Sequence, residues 1–227
     1  MKVVCLDGVP HFEVSEPVLS NACLVLSRTA DYSADLKPIE SKALTDVSII
    51  RSIQFSSGRR AAHIALEELQ IEDNAVGRSG RVPIWPRNVV GSISHSDRLA
   101  GALVGSSTYF RGLGMDLVPI AAVSSNVAQR LLTDSELSWV QDTGSGDWRT
   151  ALFSAKESVY KAVNPVVGEY LGFRDVTVKV VPDSLEFFAS TIDNRESTEL
   201  VDRGRGYIHR VEGHWLTIFV VSQATTC

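Results

Sequence analysis

Apolar residues recur at helical spacing in two long stretches of the chain, while short β-branched and aromatic runs fill much of the remainder. The first 35 residues read as extended segments and turns without a strong period. From about Pro38 to Leu69 the pattern predicts helix, broken near Ser56-Ser57-Gly58. Ala61, Ala62, Ala65, Leu66 and Leu69 form one apolar face of its second part. A Gly/Pro-rich stretch follows from Gly77 to Pro86. Ser92 to His95 and Leu99 to Val104 then predict a short hairpin, and Leu113 to Val118 a further strand.

The second half opens with helices. Thr133-Asp-Ser-Glu136 is a capping box, in which hydroxyl and carboxylate each satisfy an end of the helix start. A longer helix is predicted from about Asp147 to Val163, ended by the turn-like Asn164-Pro165. Four strands follow, at Val176–Val181, Leu185–Phe188, Tyr207–Val211 and Leu216–Val221, with Gly213 turning the last hairpin. Ser57 to Leu66 and Ser154 to Val163 resemble each other faintly. The expected fold class is therefore α+β, with two pseudo-equivalent halves, 1–112 and 113–227.

Composition narrows the function. Apolar residues make up 44% and charged residues 22% of 227, as in ordinary globular proteins. A net charge of −5 argues against general nucleic-acid binding, which needs a basic field. Cys5, Cys23 and Cys227 are scattered, so neither a zinc site nor a disulfide framework is expected. Asp7 interrupts the first apolar stretch before a signal sequence forms, and no apolar run reaches the roughly 20 residues of a membrane span. A cytoplasmic protein is expected.

The candidate chemistry lies mainly in Phe153-Ser-Ala-Lys156-Glu157-Ser-Val-Tyr-Lys161-Ala162. On a helix, Leu152, Ala155, Val159, Ala162 and Val163 face the core, while Phe153, Glu157, Tyr160 and Lys161 share another arc. Glu157 offers a hard oxygen to magnesium, and Lys156 and Lys161 offer charge to phosphate. The plainer reading is a surface i,i+4 pair of Glu157 and Lys161, worth about 0.3–0.5 kcal/mol. Asp116 stands alone in the apolar strand Gly112 to Val118, where a carboxylate needs a partner or a cation. Arg51, Arg59 and Arg60 lie around the expected helix break, and guanidinium groups converging there can grip a phosphate. His95 can donate to the same phosphate.

These segments, in this order, resemble the phosphopantetheinyl transferases of the monomeric two-half class. The motifs are Gly58-Arg59-Arg60, Arg81-Val-Pro-Ile-Trp85-Pro86, Gly91-Ser-Ile-Ser-His95, Gly114-Met-Asp116 and the Phe153–Ala162 run. The likeness spans about Ile50 to Val176 and is greatest to the enterobactin-synthase branch. It implies coenzyme A bound in a cleft between the halves, and magnesium, or manganese in its place, on Asp116 and Glu157. It implies Arg51, Arg59 and His95 on the 3′-phosphate, with Ser94 beside them in the coenzyme site, and Arg78 or Arg81 by the adenine. Lys156 and Lys161 fall to the phosphates, Lys161 neutralising charge in the transition state, and Phe153 and Tyr170 to the pantetheine arm. The partners implied are apo acyl and peptidyl carrier proteins of polyketide, nonribosomal peptide or siderophore synthesis, and no nucleic acid or membrane.

One position departs from the pattern. The family's Asp-x-Glu is here Asp116-Leu-Val118, so a water, or a group such as Ser96 or Asp97, must complete the metal shell, or metal affinity falls. Two rivals follow from the residues: a hydrolase built on Ser94 or Ser96, His95 and Asp116, and a binding module without catalysis. Adjacent Ser and His on a strand point to opposite faces, which weighs against the hydrolase.

Overall fold

The computed structural model describes residues 1–45, 47–121 and 123–224, so Cys227 lies outside it. The described residues divide into two compact units, Met1–Arg111 with the residues from 222 on, and Gly112–Val221.

In the first unit, β1 (Lys2–Cys5) and β2 (Ala22–Arg28) are followed by α1 (Pro38–Ser41) and α2 (Ile49–Glu68). A small pair, β3 (Gly77–Ser79) and β4 (Val82–Ile84), precedes the predicted hairpin of β5 (Val89–His95) and β6 (Leu99–Ser106). The main sheet runs β1-β2-β6-β5, with β1 parallel to β2 and the other pairs antiparallel. Ala61, Ala62, Ala65 and Leu66 of α2 are fully buried in a cluster with Val25 and Val104 of the sheet.

The expected break in α2 does not occur. Ser56 and Ser57 lie inside one continuous helix, and their hydroxyls accept the backbone N–H groups of Tyr32 and Ala30 at 3.1 Å each. Gly58 is there for proximity: a Cβ would stand 2.7 Å from Ile93 of β5. The helix starts earlier than its apolar face suggests, because Ser48 caps it by accepting the Arg51 N–H at 3.2 Å.

The second unit contains β7 (Phe110–Pro119) apart from its first two residues, α3 (Ser125–Leu131), α4 (Asp134–Thr143) and α5 (Asp147–Val167). After these come β8 (Val176–Val181), β9 (Glu186–Thr191), α6 (Thr198–Arg203), β10 (Arg205–Val211) and β11 (His214–Ser222). Its sheet runs β7-β11-β10-β9-β8. The capping box at Thr133 is present, with the Thr133 N–H donating to Glu136 at 2.7 Å. Leu152, Ala155, Val159, Ala162 and Val163 of α5 are all buried, as their period predicts. The helix continues past Asn164-Pro165 and stops at the left-handed Gly168, whose N–H donates to the Asn164 carbonyl at 2.8 Å. With helices laid on two largely antiparallel sheets, the fold is α+β.

Candidate active site

Residues two apart on β7 share one face, and on that face Gly112, Gly114 and Asp116 meet α5 in sequence. A Cβ on Gly112 would overlap the Ala162 carbonyl oxygen, and one on Gly114 would overlap that of Ser158. Asp116 then reaches Ser154, whose hydroxyl donates to Oδ2 at 2.9 Å. Two strand residues advance about 6.7 Å and four helical residues about 6.0 Å, so strand and helix stay in step over this distance. The two glycines bring the backbones together, and the acid is delivered to the helix surface.

Asp116 is only 6% exposed, and such a carboxylate requires compensation. Lys161 provides it: its Nζ lies 2.7 Å from Asp116 Oδ1. The plain i,i+4 reading of Glu157 and Lys161 leaves out this contact of Lys161 with Asp116. Glu157 is half-buried on the neighbouring arc of α5. Phe153 packs on Phe173 with ring centroids 5.3 Å apart, and the exposed Tyr170 meets Tyr160 edge-on at 6.1 Å.

Lys156 corrects the expectation of a phosphate ligand. It is buried, pairs with the buried Glu136 at 2.7 Å, and donates to the carbonyls of Leu131 at 3.1 Å and Phe173 at 2.7 Å. These three acceptors use all three ammonium hydrogens. Burial lowers its pKa, and the charge and hydrogen bond of Glu136 oppose that shift. Glu136 also accepts the N–H groups of Thr133 and Val178. Lys156 thus ties α5 to α4 and to the chain on either side of it.

Among the described residues, no three His, Cys, Asp or Glu side chains converge on one point that could hold a metal ion. Magnesium is commonly held by one or two carboxylates with waters and substrate phosphates. The hard oxygens of Asp116 and Glu157 fit that role. Val118 packs in the apolar core with Ala151, Leu152 and Ala155 in the same cluster.

The first unit gathers the basic candidates. Arg51 Nη1 lies 3.0 Å from His95 Nε2, joining the first turn of α2 to the end of β5. Burial lowers the Arg51 pKa, and the charges of Arg78 and Arg81 lower it further. A cation in the first turn of a helix also opposes the helix dipole. Arg59 is deeper, 5% exposed, with Nη2 donating to the Gly77 carbonyl at 3.0 Å and its guanidinium over the Phe55 ring. Burial pushes its pKa down to about 10, with Glu40 opposing and Arg78 and Arg51 adding to the fall. The Arg59 Nε, also buried, has no hydrogen-bond partner among the described residues.

His63, on the Arg59 face of α2, pairs at 2.8 Å with the buried Glu40. Ser94 is buried on β5. Ser96 serves a turn: its hydroxyl accepts the N–H groups of Arg98 and Leu99 at 3.1 and 3.0 Å. With Arg51 on His95 and Ser96 in that turn, the geometry gives the hydrolase reading no support. Thr217, which no motif singled out, is fully buried beside Ser154.

Two family models match in chain order. The 4′-phosphopantetheinyl transferase N-terminal domain covers residues 40–105, and the 4′-phosphopantetheinyl transferase superfamily covers 112–211. The 4′-phosphopantetheinyl transferase Npt of Nocardia iowensis is 35% identical over 65% of this chain and 68% of its own length. The chain belongs to the phosphopantetheinyl transferase superfamily. Family members transfer the phosphopantetheine arm to carrier proteins. The transferase PptT of Mycobacterium tuberculosis is 32% identical over 59% of this chain and 60% of its own length. Enterobactin synthase component D of Salmonella austin is 30% identical over 70% of each. The matched part of this transferase-family chain thus spans about three-fifths to two-thirds of the first two relatives. Among its described residues, no helix is long and apolar enough to cross a membrane.

Proposed function

We propose that this chain is a 4′-phosphopantetheinyl transferase acting on coenzyme A and a serine of an apo carrier protein. The observation that carries the reading is the Lys161–Asp116–Ser154 constellation, set by glycine-mediated packing of β7 on α5 inside the superfamily match. Family membership supports the reaction class. Since both family-matched regions lie on one chain, the reading requires no second copy.

In this reading Arg51 and His95 hold the 3′-phosphate of coenzyme A. Arg59 supports them from beneath, through its charge and its hold on Gly77. Arg78 and Arg81, both exposed, lie toward the adenine. Asp116 and Glu157 would hold magnesium, which when bound would neutralise charge on the phosphoryl oxygens. Lys161 donates to the pyrophosphate in the transition state, where the negative charge on leaving oxygen increases. Glu157 accepts the proton of the carrier serine. The serine oxygen forms the new bond to the pantetheine-bearing phosphorus, and the bond to adenosine 3′,5′-bisphosphate breaks. Phe153 and Tyr170 border the pantetheine arm.

The test is intact mass spectrometry of a panel of apo carrier proteins incubated with this chain, coenzyme A and magnesium. A gain of one phosphopantetheine on the carrier serine is expected. Coenzyme A binding without any mass gain across acyl and peptidyl carriers would leave a binding module and overturn the catalytic reading.

A further inference from the structure

Three buried oxygens connect β11 to the candidate metal ligand. Ser154 Oγ lies 2.9 Å from Asp116 Oδ2 and 2.9 Å from Thr217 Oγ1. Thr217 Oγ1 also donates to the Ser154 backbone carbonyl at 2.8 Å. All three residues are buried, with Ser154 and Thr217 fully so.

A serine hydroxyl carries one proton, and here two oxygens compete for it. The carboxylate is the stronger acceptor, because hydrogen bonds to ionised groups are about twice as strong as neutral ones. The Ser154 proton therefore points at Asp116. The Thr217 proton in turn lies between the Ser154 hydroxyl and carbonyl oxygens. With Lys161 on Oδ1 and Ser154 on Oδ2, both oxygens of Asp116 have fixed directions.

From this geometry we infer that Thr217 and Ser154 form a positioning relay that orients the Asp116 carboxylate for its cation and phosphate partners. The inference rests on Asp116 being a metal-bound carboxylate. Neither hydroxyl touches substrate, so both act through Asp116. A carboxylate free to rotate would present its oxygens to a cation only part of the time. Partners that orient ligating groups typically change metal affinity by about 10- to 100-fold when removed.

The experiment is calorimetric titration of Mn2+ into the protein with coenzyme A present, alongside steady-state transfer and thermal melting. Ser154→Ala should weaken Mn2+ binding about tenfold or more, as expected for a lost hydrogen bond to a charged group. Thr217→Val should weaken it roughly fivefold, Thr217→Ser should restore it, and the double variant Ser154→Ala with Thr217→Val should equal Ser154→Ala. In each weakened variant kcat should fall with little change in KM for the carrier.

Wild-type Mn2+ affinity in Thr217→Val would overturn the relay, whatever happens to melting temperature. So would strictly additive losses. If Ser154→Ala does not fold, the contrast between Thr217→Val and Thr217→Ser decides alone. Asp116→Ala separates the two levels: unaltered Mn2+ binding there removes the metal reading itself. Lost binding in Asp116→Ala, with Thr217→Val unaffected, removes only the relay.

Discussion

The backbone of Gly114 lies against the carbonyl of Ser158 so closely that any Cβ at 114 would overlap that oxygen. A carbonyl in the middle of a buried helix cannot move aside as a flexible side chain would. Gly114→Ala must therefore separate β7 from α5. Overpacking of this kind costs about 1–3 kcal/mol, occasionally more. Asp116 lies two residues on, so its 2.9 Å contact with Ser154 should lengthen as well. We expect a lower melting temperature together with a large loss of transfer rate. Melting curves and carrier mass spectrometry on the same preparation check both. A fully active Gly114→Ala would show that Asp116 tolerates displacement.

Lys156 and Glu136 predict a purely structural phenotype. Removing one member of a buried ion pair leaves an uncompensated charge, at about 3–5 kcal/mol. Lys156→Met should be destabilised by that order, and the double variant Lys156→Met with Glu136→Gln should recover part of it. Urea denaturation measures the cycle. Lys156→Met with wild-type stability but lost coenzyme A affinity would return Lys156 to the phosphates.

The contrast between Lys156 and Lys161 shows where the sequence was legible. The period of α5, its buried face and the capping box at Thr133 are local patterns, and all appear in the structure. Which lysine meets which acid depends on long-range contacts, with Glu136 from α4 and Asp116 from β7. The apparent helix break at Ser56-Ser57 arose similarly, because the partners of those hydroxyls are Tyr32 and Ala30. Strand β2 was hidden because its first six residues are buried, which removes the alternation that marks a half-buried strand. α6 is too short to display a period. Thr217 reads as an ordinary strand threonine until Ser154 is beside it.

Arg51 should carry discrimination between coenzyme A and its 3′-dephospho form. Arg59 is less informative, since its bond to Gly77 makes Arg59→Ala a stability variant too. A hydrogen bond to a charged group contributes about 1.5–3 kcal/mol, so Arg51→Ala should narrow the preference by about 10- to 100-fold. Calorimetry with both ligands measures it. Equal losses for the two would remove Arg51 from the 3′-phosphate.

Glu40 gives a pH dependence. Burial raises its pKa, but hydrogen bonds from His63, Val76 and Lys37 outweigh this, and the net shift is downward. A carboxyl depressed in the folded state stabilises the protein above its unfolded pKa, near 4.3 for glutamate, and that stability is lost as pH falls through the folded value. Glu40→Gln should therefore melt lower than the parent at neutral pH, with the gap closing on acidification below about pH 4. A gap independent of pH would assign the effect to packing alone.

Val118 stands where the resemblance leads one to expect a glutamate, and its packing predicts what happens when that glutamate is supplied. It is 8% exposed and belongs to the apolar cluster that includes Ala151, Leu152 and Ala155. Along β7, the contacts Gly112 to Ala162, Gly114 to Ser158 and Asp116 to Ser154 move toward the start of α5. Two further strand residues carry position 118 another turn that way, farther from Lys161. A carboxylate there is desolvated without the Lys161 ammonium, and burying an unpaired ion costs several kcal/mol even after relaxation. At about 2–4 °C per kcal/mol for a chain of this size, Val118→Glu should lower the melting temperature by roughly 10 °C or more. The opposing effect is that residues two apart on a strand share a face, so a cation on Asp116 that also reached residue 118 would recover the loss. We expect the packing to prevail: the deficit should be the same with and without magnesium, coenzyme A held constant. Melting curves across a magnesium series separate the two effects. Recovery of the parent melting temperature at high magnesium would place residue 118 on the cation and overturn its assignment to the core.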